Sequence, residues 1–211
     1  MEDCKKNKLK EILVLLKYMG FEKINVRSPH TSPLSNLEKA VAGCKKCRLH
    51  ETRTNTVFGE GPANADFMII GEAPGEREDE QGLPFVGAAG RELDIILELA
   101  GMDRKDIYIT NVVKCRPPGN RNPDMDEIES CIGYLKRQLE IINPEVIVLL
   151  GNVALSLVTG TASGITKMRG KKMRYLSYTA IPTFHPVYVI RNPRSRELVA
   201  KDLKEAKRCI S

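Results

Sequence analysis

The 211-residue chain contains no tryptophan and only five phenylalanines. A large apolar ring in a polar loop is therefore a conspicuous resource. No apolar run approaches the roughly 20 residues of a membrane span, so no membrane association is expected. The start, MEDCKKNKLKE, has acidic residues and a lysine cluster where a secretory signal has an apolar stretch, so a cytoplasmic location is expected. Internal repeats and low-complexity tracts are absent. No Gly-Lys-Ser/Thr follows a glycine-rich stretch, which excludes a P-loop.

The composition is 42% hydrophobic and 28% charged, ordinary for a globular protein. The length suits one sizeable core, or a smaller domain with an extension. The net charge of +6 and a pI near 9.0 suit a polyanionic partner, though a solvated basic surface would read the same way. Six cysteines in a cytoplasmic chain point to metal ligands and spare thiols rather than disulfides. Cys44 and Cys47 form a Cys-x-x-Cys pair, and Cys115 and Cys131 lie far downstream. One close pair with two distant thiolates is a ligand set for one tetrahedral site, and spacing alone fits zinc and an iron–sulfur cluster equally. Cys4 and Cys209 have no motif around them and read as plain thiols.

Apolar residues at Leu9, Ile12, Leu13 and Leu16 predict an amphipathic helix over 5–20. A Pro/Ser linker over 27–36 follows. Residues 1–36 thus read as an N-terminal helical extension, packed on the domain or docking a partner, and 37–211 as the main domain. There, strands are expected at 65–71, 106–114 and 144–152, with one or two more within 174–186. Helices are expected at 90–102, 124–143, 152–160 and 197–210. This alternation predicts an α/β fold: a three-layer α/β/α sandwich around a mainly parallel, four-stranded sheet. Ligands bind such sheets at the carboxyl ends of the strands. The polar motifs fall there: Gly71 after the first strand, Asn111 after the second, Gly151-Asn152 after the third and His185-Pro186 after the last.

Four stretches, CKKCRLHETRTNTVFGEG (44–61), GEAPGEREDEQGLPFVGAAG (71–90), NVVKCRPPGNRNP (111–123) and FHPVYVIRNP (184–193), follow in this order, with Cys131 after the third. Together they resemble the uracil-DNA glycosylase superfamily, specifically its iron–sulfur family 4, from about Gly43 to Pro193. The resemblance implies a monofunctional glycosylase. Such an enzyme flips uracil out of DNA and hydrolyses its N-glycosidic bond, leaving an abasic site for base-excision repair. It implies a [4Fe–4S] cluster on Cys44, Cys47, Cys115 and Cys131.

Within that resemblance, Asn111 reads the uracil edge, donating to O4 and accepting from N3–H. Cytosine inverts both groups. Phe85 stacks on the base, and neutral His185 donates to O2 as charge develops there. Glu72 orients the attacking water or offers its backbone amide to the base. In this chain Ala73 stands where some other glycosylase families have an aspartate. Glu78 and Asp79 are further candidates for water positioning or for excluding thymine. Gly71, Ala73, Gly75, Gly87 and Gly90 give the backbone close access to the nucleotide. The stretch 185–196 resembles an intercalation loop that inserts Val189, Ile190 or Arg191, with Val187 where the family usually has a smaller residue. Arg53, Arg116, Arg121, Arg169, Lys171 and Lys172 are candidate phosphate contacts. The expected partner is uracil-containing DNA, single- or double-stranded. The N-terminal helix could engage a sliding clamp or another repair protein, and the chain is expected to be monomeric. The alternative is an iron–sulfur DNA-binding module without catalysis. Crosslinking relatives carry a histidine-bearing loop where this chain has KCRPPGNRNP, which argues against that chemistry.

Overall fold

The computed structural model describes residues 32–160 and 164–210. The expected helix over 5–20, Cys4 and most of the expected extension lie outside these residues. The last part of the expected linker is helical: α1 spans Pro33–Ala42, with Ser32 as N-cap accepting from the Ser35 amide and Pro33 at the first helical position.

Five strands form one sheet: β1 (Phe67–Gly71), β2 (Ile107–Asn111), β3 (Val146–Leu150), β4 (Met173–Tyr175) and β5 (Tyr178–Thr183), in the order β2-β1-β3-β5-β4. The four expected strands are mutually parallel. The fifth, β4, is a short antiparallel edge strand paired to β5, and the reversal turns through Leu176 in the left-handed region. β1, β2 and β3 are buried along their whole length, as parallel strands covered on both faces must be.

Three helices lie between β1 and β3: the short α2 (Glu76–Gln81), α3 (Ala88–Ala100) and α4 (Met125–Ile142). Alternate strand residues feed two cores. Phe67, Ile69, Ile107, Ile109, Val146 and Val148 face one side, where they meet Leu93, Ile96 and Leu97 of α3. Met68, Ile70, Tyr108, Ile147 and Leu149 face the other side, against Ile128, Leu135 and Leu139 of α4. Period-two alternation in the strands and a helix stripe on each side produce the three layers.

Later elements are α5 (Gly151–Thr159), α6 (Ile165–Met168), α7 (Pro186–Arg191) and α8 (Arg196–Lys207). Val199 and Leu203 of α8 complete the first core. The segment before β1 covers the outer edge of β2. Glu60 and Ile109 exchange backbone hydrogen bonds at 2.7 and 2.9 Å, and the Val57 amide donates to the Lys114 carbonyl.

Candidate active site and cysteine pocket

The carboxyl ends of β1, β2, β3 and β5 meet on one edge of the sheet. Gly71 and Asn111 are register partners across β1 and β2. A Cβ on Gly71 would collide with Asn111 Oδ1 and stand 2.7 Å from Phe85 Cζ, so both side chains converge over the bare backbone there. Gly151, at the end of β3, has φ +86°, and a Cβ on it would stand 3.2 Å from His185 Cβ. The ring centroids of Phe85 and His185 are 5.9 Å apart. Asn111, Phe85 and His185 thus come together as expected.

Asn111 is 1% exposed, and its Oδ1 has no hydrogen-bond partner. A buried carbonyl oxygen left unpaired costs about 1–3 kcal/mol, which a ligand with a matching N–H would recover. Phe85 is buried and holds φ +52°, an uncommon conformation for a residue with a side chain. Arg104 holds it there, donating to the Pro84 carbonyl (2.8 Å) and the Phe85 carbonyl (3.1 Å).

His185 caps α7. Its Nδ1 accepts from the Val187 amide at 3.2 Å. A neutral ring with Nδ1 accepting carries its proton on Nε2. Burial pushes the His185 pKa down to about 4, with the Glu78 charge opposing, so the ring is neutral near pH 7. Glu72 is partly buried, and desolvation raises its pKa above the usual carboxylate range. Among the described residues, its carboxylate makes no hydrogen bond or ion pair.

Two other acids of this loop bind backbone amides. Glu78 Oε1 accepts from the Val86 and Gly87 amides at 2.9 and 2.8 Å, which fixes the phenylalanine loop over α2. Gly75 is the N-cap of α2, a helix not among those expected from the sequence. Asp79 accepts from the Thr54 and Asn55 amides. Asp79 accepts backbone amides on both oxygens, whereas Glu78 engages them through Oε1 alone. Ala73 packs against the second core.

Several expected phosphate contacts are already engaged. Arg121 donates to both oxygens of Glu127, whose side chain is fully buried, and Arg48 joins from the other side. These bonds hold the Glu127 pKa at about 2, the Arg121 hydrogen bond acting most strongly. Arg169 donates to Asp202 Oδ1 and the Leu198 carbonyl. Arg53 donates to Cys115 Sγ at 3.1 Å and to the Ala42 carbonyl. Arg116 bonds Asn120 and Glu76 and is three-quarters covered. Arg191, Lys171 and Lys172 are exposed.

The expected intercalation loop is the helix α7. A helix presents only one face outward, and Val189 lies on the inner one, fully buried in the core. Val187, Tyr188 and Ile190 are each at least 40% exposed. Tyr188, whose ring stacks on Phe184 at 4.5 Å, was not among the expected residues, although an exposed aromatic beside the His-Pro motif was a signal for it.

Cys44, Cys47, Cys115 and Cys131 line one pocket, together with Arg53, Lys114, His50 and Tyr134. All four are free thiols. No three His, Cys, Asp or Glu side chains among the described residues are grouped tightly enough to hold a single metal ion. Four sulfurs around a common space, with a guanidinium and an ammonium beside them, fit a larger anionic group.

An α/β sandwich with a buried, unpaired amide oxygen, a stacking ring and a neutral imidazole at its strand ends has the architecture of an enzyme that binds a planar heterocycle. The profile of the "Uracil DNA glycosylase superfamily" matches residues 58–207. The chain is 49% identical over 179 residues to a "Type-4 uracil-DNA glycosylase" of Thermotoga maritima, covering 82% of this chain and 93% of that protein. It is 45% identical over 181 residues to one from Sulfurisphaera tokodaii, covering 82% of each. The chain belongs to the type-4 uracil-DNA glycosylases of this superfamily.

Proposed function

We propose that the protein is a monofunctional uracil-DNA glycosylase of base-excision repair. The observation that carries this is the orphaned Oδ1 of Asn111 beside Phe85 and His185. Oδ1 accepts the N3–H of a flipped uracil, and the side-chain amide donates to O4. Cytosine presents the opposite pattern and would leave two buried groups opposed, which can discriminate by about 10⁴-fold. Phe85 stacks on the base, a contact worth about 1–3 kcal/mol. His185 donates from Nε2 to O2.

As the C1′–N1 bond breaks, its electron pair leaves with the base, and the hydrogen bonds from His185 and Asn111 stabilise the resulting anion. A water oriented by Glu72 forms the new C1′–O bond and gives up its proton to the carboxylate or to solvent. The buried, unpaired setting of Glu72 suits this role. The scheme uses water and no Schiff-base lysine, so the strand stays intact.

In the same proposal, Cys44, Cys47, Cys115 and Cys131 hold a [4Fe–4S] cluster. When bound, the cluster serves as a structural brace that ties Cys44–Cys47 to the loop after β2 and to α4. Val187, Tyr188 and Ile190 fill the gap left by the flipped base, and Arg191 contacts phosphate. The five described cysteines are unpaired, which suits a reducing cytoplasm. The protein acts as a monomer on single- or double-stranded uracil-containing DNA. The apolar stripe Leu9, Ile12, Leu13 and Leu16 of the 1–36 extension docks a sliding clamp or another repair protein.

The test is an excision assay on a labelled oligonucleotide with one uracil, opposite guanine, opposite adenine or unpaired. Strand breaks that need alkali are expected, with a loss of about 10²–10³-fold in Asn111→Ala. No excision by protein shown to carry iron and sulfide would overturn the proposal in favour of a silent DNA-binding module.

A further inference from the structure

Among the described residues, Lys114 is the one fully buried lysine, at 1% exposure. A buried ammonium is costly unless it is paired and hydrogen-bonded. Its Nζ donates to the Asn111 carbonyl and to Thr110 Oγ1, both at 2.6 Å. Thr110 passes the contact on to the Phe58 carbonyl at 2.8 Å. The same residue lines the pocket of the four cysteines. The Lys114 backbone amide faces the Cys131 sulfur, and its carbonyl accepts from the Val57 amide at 2.8 Å. One residue therefore touches both the cysteine pocket and the main chain of the base-reading asparagine.

We propose that Lys114 is a positioning residue that fixes the backbone of Asn111 and couples the cysteine-bound cluster to base recognition. This rests on the reading above of Asn111 as the uracil reader and of the four cysteines as cluster ligands. Two short hydrogen bonds from Nζ hold the Asn111 carbonyl and the Thr110 hydroxyl, while the same residue forms part of the wall around the four cysteines. Asn111 Oδ1 has no partner before substrate arrives, so its aim depends on the main chain that carries it. Lys114→Met keeps the apolar stem and removes the charge and all three donors.

The experiment measures single-turnover uracil excision and the visible absorbance, iron and sulfide content of wild type, Lys114→Met, Asn111→Ala and the double variant. Wild type run alongside separates the ideas: if it excises no uracil, the glycosylase reading has failed, not the role of Lys114. The expected result is a cluster-loaded Lys114→Met that is slowed by about 10–100-fold, the scale of a misplacement near 1 Å. It should also show reduced preference for uracil over cytosine. In the Asn111→Ala background the same substitution should add little, because it acts through that side chain. Lys114→Gln, which keeps a neutral donor, should recover part of the rate. Wild-type rate in loaded Lys114→Met overturns the proposal, as does a loss fully additive with Asn111→Ala. Should Lys114→Met fold without its cluster, the Gln variant is read in the same cycle. Failure of both variants to load the cluster also overturns it, since Lys114 would then serve the cysteine pocket alone.

Discussion

Gly71→Ala puts the packing of the base pocket to a quantitative test. Gly71 has no left-handed backbone torsion, so the substitution strains nothing but space. The added methyl would stand 2.7 and 2.9 Å from Phe85 Cζ and Cε2, and would collide with Asn111 Oδ1. Carbon atoms settle about 3.5–4.0 Å apart, so the Phe85 ring must retreat by about 0.8 Å. The asparagine amide must turn away as well. Phe85 cannot yield easily, because Arg104 clamps its carbonyl and Glu78 clamps the two residues after it. A shift of about 1 Å in a positioning group costs about 10²-fold in rate, or near 2.7 kcal/mol of transition-state stabilisation. Overpacking should also cost about 1–3 kcal/mol of stability. For a chain of this size that lowers Tm by about 2–4 °C per kcal/mol. The assay is single-turnover excision with alkaline cleavage, paired with a melting curve and cluster absorbance. A cluster-loaded Gly71→Ala variant with the wild-type rate would refute the convergence of Asn111 and Phe85 on this backbone.

Three more predictions concern pH, stability and salt. Glu72 has a raised pKa, so excision should fall as pH drops through that raised value, while His185, at about 4, stays neutral over the same range; the acid limb should vanish in Glu72→Gln, and its survival there would assign it elsewhere. Glu127→Gln should cost about 1–3 kcal/mol in a denaturant melt, because a buried acceptor of two guanidiniums is weakened. The Glu127 pKa is lowered to about 2, so its contribution is present above the ordinary carboxylate pKa and lost as pH falls through about 2. The variant should therefore show a flatter acid dependence of Tm in that window. Arg191→Ala should weaken DNA binding without changing base preference, and lower the slope of log affinity against log salt by about 0.9, one phosphate contact.

Much of this molecule could be read from its residues in order. Unbroken apolar runs such as PEVIVLLGN, and the capping box that opens α4, mark elements through local chemistry alone. The cysteine spacing and the polar strand ends mark the two sites for the same reason: the type and position of each residue carry the signal. Four helices, α1, α2, α6 and α7, were not legible. β4, the second of the one or two strands expected within 174–186, is three residues long and half-buried. α2 has the sequence EREDEQ, whose acidic first turn was a helix signal without an apolar stripe to support it. α7 hides a helix behind a His-Pro cap.

Charged side chains were the hardest to place. Arg53, Arg121 and Arg169 read as free cations for phosphate, and folding commits them to Cys115, Glu127 and Asp202. Glu78 and Asp79 read as candidates for chemistry, and folding sets them on backbone amides of the neighbouring loops. Lys114 attracted no attention in sequence and proves to be buried between the cysteine pocket and Asn111. Sequence alone determined the alternation of strands and helices, the cysteine spacing and the polar strand ends, because hydrophobic periodicity and residue chemistry are local. Only the tertiary structure decided which charges are free, because an ion pair depends on a partner that folding brings near, as far as 104 positions away for Arg196 and Glu92.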